Sequence, residues 1–176
     1  MRAPVCLTLL AAAPASAFAT DYLTADQAQR LMFPDATSFR AQDLALDSAQ
    51  MKQVEQLAAL PARSVHWHVI AAYKADALLG WMVLDNVVGK FELISYAVGL
   101  NLDASIKQVE VLSYRESHGG EVRNPAWRRQ FVGKRAPAGL SVGDGIANIS
   151  GATLSCTHLT DGVRRIAAIA QVALKK

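Results

Sequence analysis

Apolar and polar positions along this chain change period twice, and the changes divide it into helical, strand-rich and helical stretches. Thr24, followed by Asp26 and Gln27, reads as an N-cap opening a short helix that Phe33-Pro34 ends. A second helix is expected from 48 to about 60, with Met51, Val54, Leu57 and Ala58 on one side and Pro61 as its stop. Between them, residues 38–46 read as a strand or an extended segment. Strand formers then dominate residues 64–73, 77–88, 91–100 and 106–114. The short breaks at 74–76, 89–90 and 101–104 suit an antiparallel meander. In the last strand Ile106, Gln108, Glu110 and Leu112 share one face by simple alternation, and Lys107, Val109, Val111 and Ser113 the other. Neither face is cleanly apolar, so register stays open.

After Ser117-His118-Gly119-Gly120 the chain turns, and Asn124-Pro125 opens a short helix ending near Phe131. A loop with Pro137, Gly139, Gly143 and Gly145 leads to a final helix over about 154 to 174. There Leu159, Val163, Ile166 and Ala170 recur at helical spacing and are expected to face the sheet, with Asp161, Arg164, Arg165 and Lys175 outward. Gly162 inside this helix costs about 1 kcal/mol relative to alanine, which points to close packing at that position. No internal repeat or low-complexity linker interrupts the pattern. The expectation is one α+β domain, an antiparallel sheet packed against helices, over residues 20–176.

Residues 1–19 stand apart from that fold and read as a signal peptide. Arg2 supplies one positive charge, Val5 to Ala13 form a short apolar run, and Ala15-Ser16-Ala17 and Ala17-Phe18-Ala19 each match a small-x-small cleavage site. Cleavage is expected after Ala19, with Ala17 as the alternative, placing the mature chain in the periplasm or another extracytoplasmic space. Cys6 would leave with this segment, and Cys156 alone allows no internal disulfide. At 176 residues, 52% apolar, the chain can bury a substantial core. The net charge of +3, without a basic run interleaved with aromatics, gives no case for nucleic acid.

Candidate chemistry concentrates at Ser150-Gly151-Ala152-Thr153-Leu154-Ser155. Gly151 and Ala152 carry almost no side chain, so another molecule could close on the backbone there. Thr153 falls at or beside the start of the final helix, where unpaired N–H groups and the dipole favour phosphate. On the residues alone, Ser150 or Thr153 serving as an ordinary N-cap is the alternative. Ser-Gly-Ala-Thr, with Leu-Ser after it and Thr160-Asp161-Gly162-Val163-Arg164-Arg165 in the helix, resembles the FMN-binding domain family. That family includes flavin-bearing subunits of sodium-pumping quinone reductases and related electron-transfer complexes. The resemblance implies that Thr153 carries FMN through a phosphoester, made by a periplasmic flavin transferase with FAD as donor. One departure is visible: the family usually has an acidic residue six positions before the acceptor, where this chain has Ala147. Asp144 and Asn148 lie nearby but out of register.

A second stretch, Tyr114 through Glu121 and Asn124 through Lys134, is similar to the family's second stretch, where a strand end and a glycine turn approach the flavin ring. Gly119 and Gly120 allow close backbone approach, and Glu116, His118 and Lys134 are candidates to tune the ring. A polar hairpin turn with a solvated Glu and His is the alternative. Cys156, in the first turn of the final helix, reads either as a stabilised thiolate or as a small buried residue, the second being favoured. His66 and His68 share a strand face, a chelating spacing that lacks a third ligand; a polar strand face flanking Trp67 is the better account. Arg164-Arg165 reads as a solvated helix face.

Three function classes follow: an exported FMN electron carrier served by membrane-bound or other redox partners, a non-redox accessory protein on the same fold, and a flavin enzyme with its own substrate. The first is the leading reading, and the sequence offers no acid–base pair for the third.

Overall fold

The computed structural model describes residues 20–116 and 118–175. The expected signal peptide with Cys6 lies outside the described residues, as do Ser117 and Lys176. Both early helices open on reciprocal caps. The Thr24 hydroxyl accepts from the Gln27 N–H and the Gln27 side chain returns a bond to the Thr24 N–H, starting α1 (Ala25–Met32). Asp47 and Gln50 do the same for α2 (Ser48–Ala58), which ends at Ala59, with φ of 52°, ahead of Pro61.

Strands β1 (Thr20–Asp21), β2 (Ser38–Ala45), β3 (His66–Lys74), β4 (Ala77–Val88), β5 (Leu93–Asn101) and β6 (Ile106–Tyr114) form one antiparallel sheet in the order β1-β6-β5-β4-β3-β2. The expected meander is β3 to β6, each strand pairing with the next, and β2 adds to it beyond β3. A short helix α3 (Pro125–Arg128), capped by Asn124, runs into a tight turn at Arg129–Phe131. A two-residue pair, β7 (Ser141–Val142) and β8 (Gly145–Ile146), precedes the final helix α4 (Thr153–Ile169). Its last turn widens at Ala170–Leu174, where the Lys175 N–H reaches the Ala170 carbonyl. No helix among the described residues is long and apolar enough to cross a membrane.

The main core lies between the sheet and α4 with α2. Leu159, Val163, Ile166 and Ala170 are all fully buried there, as their spacing required. A smaller cluster on the opposite face holds Ala28, Met32 and Phe33 against Ile70, Ala72, Met82 and Ala97. The middle of β3, β4 and β5 is thus covered on both sides, which is why these strands alternate poorly in sequence.

Two expectations need correction. In β6 the pairing with β5 shifts register at Ser95/Tyr96 and at Gly99/Leu100. These irregularities put Ile106, Val109, Val111 and Tyr114 together in the main core, against the simple alternation that grouped Ile106 with Gln108, Glu110 and Leu112. In α4, Arg165 is buried, not solvated: its Nε donates to the Pro61 carbonyl at 2.7 Å. Arg164 is half-buried, donating to the Ser141 hydroxyl at 2.7 Å and to Asp161 at 2.9 Å. The pair therefore staples α4 to the loops flanking it. The cause is the width of the core, which reaches round the helix beyond the four-residue stripe.

One exposed carboxylate gives an acid-side prediction. Hydrogen bonds from the Ser105 hydroxyl and N–H, with the Arg135 guanidinium, hold the Asp103 carboxyl at about 2. A depressed pKa adds stability above the ordinary carboxylate value of about 3.9 and loses it as pH falls toward the folded value. Denaturant midpoints measured from pH 5 down to pH 2 are expected to fall less steeply in Asp103→Asn than in the native chain, by a small margin because the group faces solvent.

Candidate functional site

The end of β6 and the start of α4 meet through one phenol. The Tyr114 hydroxyl donates to the His118 carbonyl and lies 3.1 Å from the Ser155 hydroxyl, which donates to it in turn. Burial pushes the Tyr114 hydroxyl pKa up, only partly offset by the Ser155 bond. Gly119, buried and at φ of +86°, sits between these groups. A Cβ there would lie 2.6 Å from the Tyr114 hydroxyl and 2.8 Å from the Ala152 Cβ, so only glycine lets the turn lie on Ala152.

At the start of α4, Ala152 occupies the N-cap position and no side chain caps the helix. The N-cap alternative for Ser150 and Thr153 is therefore not what the chain builds. Thr153 is the first helical residue, exposed, and its Oγ1 accepts from Asn148 Nδ2 at 3.2 Å. The first bond of the helix runs from the Cys156 N–H to the Ala152 carbonyl. The N–H groups of Thr153, Leu154 and Ser155 thus precede the ladder and present a partial positive charge.

Two adjoining clefts open beside this helix start and share His118 and Gly151. One, of about 340 Å³, runs from Lys90, Phe91 and Glu116 to Gly151, Ala152, Thr153, Leu154 and Ser155. The other, of about 660 Å³, lies between His118, Gly119, Gly120 and Glu121 on one side, Arg123 and Asn124, and Ser150 and Gly151. The two segments that the sequence singles out, far apart along the chain, are therefore the walls of one site.

Glu116 lines the smaller cleft and also ties two elements together. Its Oε1 accepts from the N–H groups of Phe91 at 2.5 Å and Glu92 at 2.9 Å, tying the end of β6 to the β4–β5 turn. Burial raises its pKa, but the N–H groups of Glu92, Phe91 and Lys90, with the Lys90 charge, outweigh that and hold the carboxyl below its ordinary value.

Lys134 is not brought to the clefts, which corrects its place among the candidates. Its ammonium donates to the carbonyls of Gly139 and Gly145, bracing the loop ahead of β8. Its backbone carbonyl pairs with the Ile106 N–H, at the opposite end of β6 from Tyr114. Eight residues of strand, about 26 Å, separate the two ends. Cys156 is fully buried and burial pushes its thiol up, so it is a packing residue. His68 pairs with Asp43 at 2.8 Å on the sheet's outer edge, and among the described residues no three metal-ligating side chains converge.

Several site residues were missed in sequence. Phe91, 76% exposed beside Lys90, is an aromatic ring held in a polar turn, the one signal that marked it. Tyr114, Glu121 and Asn124 lay inside the second stretch without being singled out, and Arg123 stacks on Tyr22 at 4.0 Å, which no local pattern reveals.

A search of the curated proteins found no match. Among solved structures the chain is similar to NqrC of Shewanella oneidensis, at 16% identity and a TM-score of 0.50, over 82% of this chain and 83% of that one. At that identity the likeness shows the fold. Residues 89–168 match the family model described as FMN-binding domain, a span holding every residue that lines the two clefts. The stretch that builds the site is thus similar to the FMN-binding domain family over residues 89–168.

Proposed function

We propose that this chain is an exported electron-transfer protein that carries FMN as a phosphoester on Thr153. The observation that carries the reading is the Thr153 hydroxyl itself: exposed, not used as a cap, and at the wall of a cleft beside the start of α4. The residues present fit the group. Both cleft volumes fall in the range of small-molecule sites, about 300–1,000 Å³. The N–H groups of Thr153, Leu154 and Ser155, which precede the helix ladder, suit a phosphate. Exposed Phe91 and Leu154 offer apolar surface for a flat ring, and the Gly119-Gly120 turn brings backbone close to it.

FMN supplies a ring that takes up and returns one or two electrons. The chain's own part is to hold it, limit its contact with water and leave an edge open for partners. In the attachment step the Thr153 oxygen bonds to the FMN phosphorus of FAD, the phosphoanhydride bond breaks and AMP leaves, while the hydroxyl proton passes to a base. A periplasmic flavin transferase supplies that reaction, and redox partner proteins, membrane-bound ones among them, exchange electrons at the open clefts. Export through residues 1–19 gives covalent attachment its purpose, since a cofactor lost outside the cytoplasm diffuses away.

Expression of the full chain with a flavin transferase, followed by intact mass, tests the reading. The expected mature mass is raised by one FMN less one water. A folded chain of unmodified mass overturns the covalent form, and dialysis-resistant yellow colour at that mass supports reversible binding. Ala147, where the family usually has an acid, favours a second reading: a colourless accessory protein, recognised by the absence of any flavin absorption band after the same expression.

A further inference from the structure

The segment ahead of Thr153 is held more firmly than its loop character suggests. The Ala147 carbonyl accepts from the Trp127 indole at 2.7 Å, and the Ala147 N–H donates to the Gln130 side chain at 2.8 Å. Ile146 beside it is buried, and the Ala152 N–H closes a turn onto the Ile149 carbonyl at 3.0 Å. Asn148 therefore projects from a pinned span, and its Nδ2 donates to Thr153 Oγ1 at 3.2 Å.

We propose that Asn148 is a positioning residue for flavin attachment, a role that rests on the reading of Thr153 above. Its amide holds the hydroxyl in one rotamer and donates to the oxygen that becomes the ester. As the hydroxyl proton leaves ahead of the O–P bond, negative charge develops on that oxygen; the bond to phosphorus then forms while the phosphoanhydride of FAD breaks. A donor already in place stabilises this charge without rearrangement. Because the amide donates, it does not take the proton, which goes to a base on the transferase. Ala147 contributes only its backbone, so a neutral donor one position on acts on the acceptor here.

The test compares attachment rates by intact mass for the full chain, Asn148→Ala and Asn148→Asp, each with purified flavin transferase and FAD. Asn148 is exposed, so both variants are expected to keep the native circular dichroism and melting temperature. Asn148→Ala is expected to lower the turnover number about tenfold, the size of one lost hydrogen bond, with the KM for the acceptor chain unchanged. Asn148→Asp has the same shape but accepts instead of donating at neutral pH, and is expected to be at least as slow as the alanine variant. A native rate in Asn148→Ala, or an aspartate variant as fast as the native chain, overturns the inference. A native chain that acquires no flavin overturns the underlying reading instead, so the two failures are told apart.

Discussion

Thr153→Ala is expected to abolish covalent flavin while leaving the fold intact. The change removes one methyl and one hydroxyl from an exposed first-turn residue. The hydroxyl caps nothing, and its one bond among the described residues is the 3.2 Å contact with Asn148. Surface substitutions of this kind stay within about 0.5 kcal/mol. Intact mass after expression with the transferase reports the first half of the expectation, and thermal melting the second. Thr153→Ser keeps the nucleophile and is expected to retain the added mass. Flavin still bound covalently in Thr153→Ala would assign the acceptor elsewhere, with Ser150, three residues earlier on the wall of the adjoining cleft, the first to test.

The largest stability effect is expected at Gly162, on the buried side of α4. A Cβ there would lie 2.1 Å from the Tyr96 hydroxyl and 2.9 Å from its ring carbon. Tyr96 cannot retreat: it is fully buried and its hydroxyl donates to Asp85 at 2.8 Å. Burial, with Asp85's charge and hydrogen bond added, drives the Tyr96 pKa upward, so this phenol remains a proton donor. Gly162→Ala gains about 1 kcal/mol of helix propensity but must push α4 off the sheet, at a cost of about 3 kcal/mol for a tightly packed site. The net loss of about 2 kcal/mol corresponds to a melting temperature lower by about 4–8 °C for a domain of this size. Tyr96→Phe removes the nearest atom, and a double-mutant cycle is expected to show favourable coupling between the two substitutions. An unchanged melting temperature in Gly162→Ala would mean that α4 and the sheet have slack between them.

The same glycine illustrates how far sequence carries the fold. Its presence inside a helical pattern announced close packing, because an isolated glycine there is costly without a reason. The caps at Thr24 and Asp47, the breaks between strands and the buried stripe of α4 were legible for similar reasons: each depends on neighbours within about one helical turn or one hairpin. Where long-range packing decides, local pattern failed. The irregularities of β6 are set by its pairing with β5, and they moved Ile106 across the sheet. Arg165 was placed in solvent because charge usually goes there, yet the Pro61 carbonyl receives it inside.

For the site, the residue types in two short segments were enough to mark Ser150 through Ser155 and Glu116 through Gly120 as candidates. That these are opposite walls of adjoining clefts is a property of the sheet, which brings the end of β6 beside the start of α4 and lets Gly119 rest on Ala152. Sequence alone determined the helices and the long strands, the apolar stripe and the candidate hydroxyl, since each follows from the spacing and chemistry of near neighbours. Tertiary structure alone decided that Lys134 braces a distant loop, that Phe91 and Asn148 stand beside Thr153, and that no side chain caps α4. Those facts depend on which strand ends meet in space, and no local interaction specifies that.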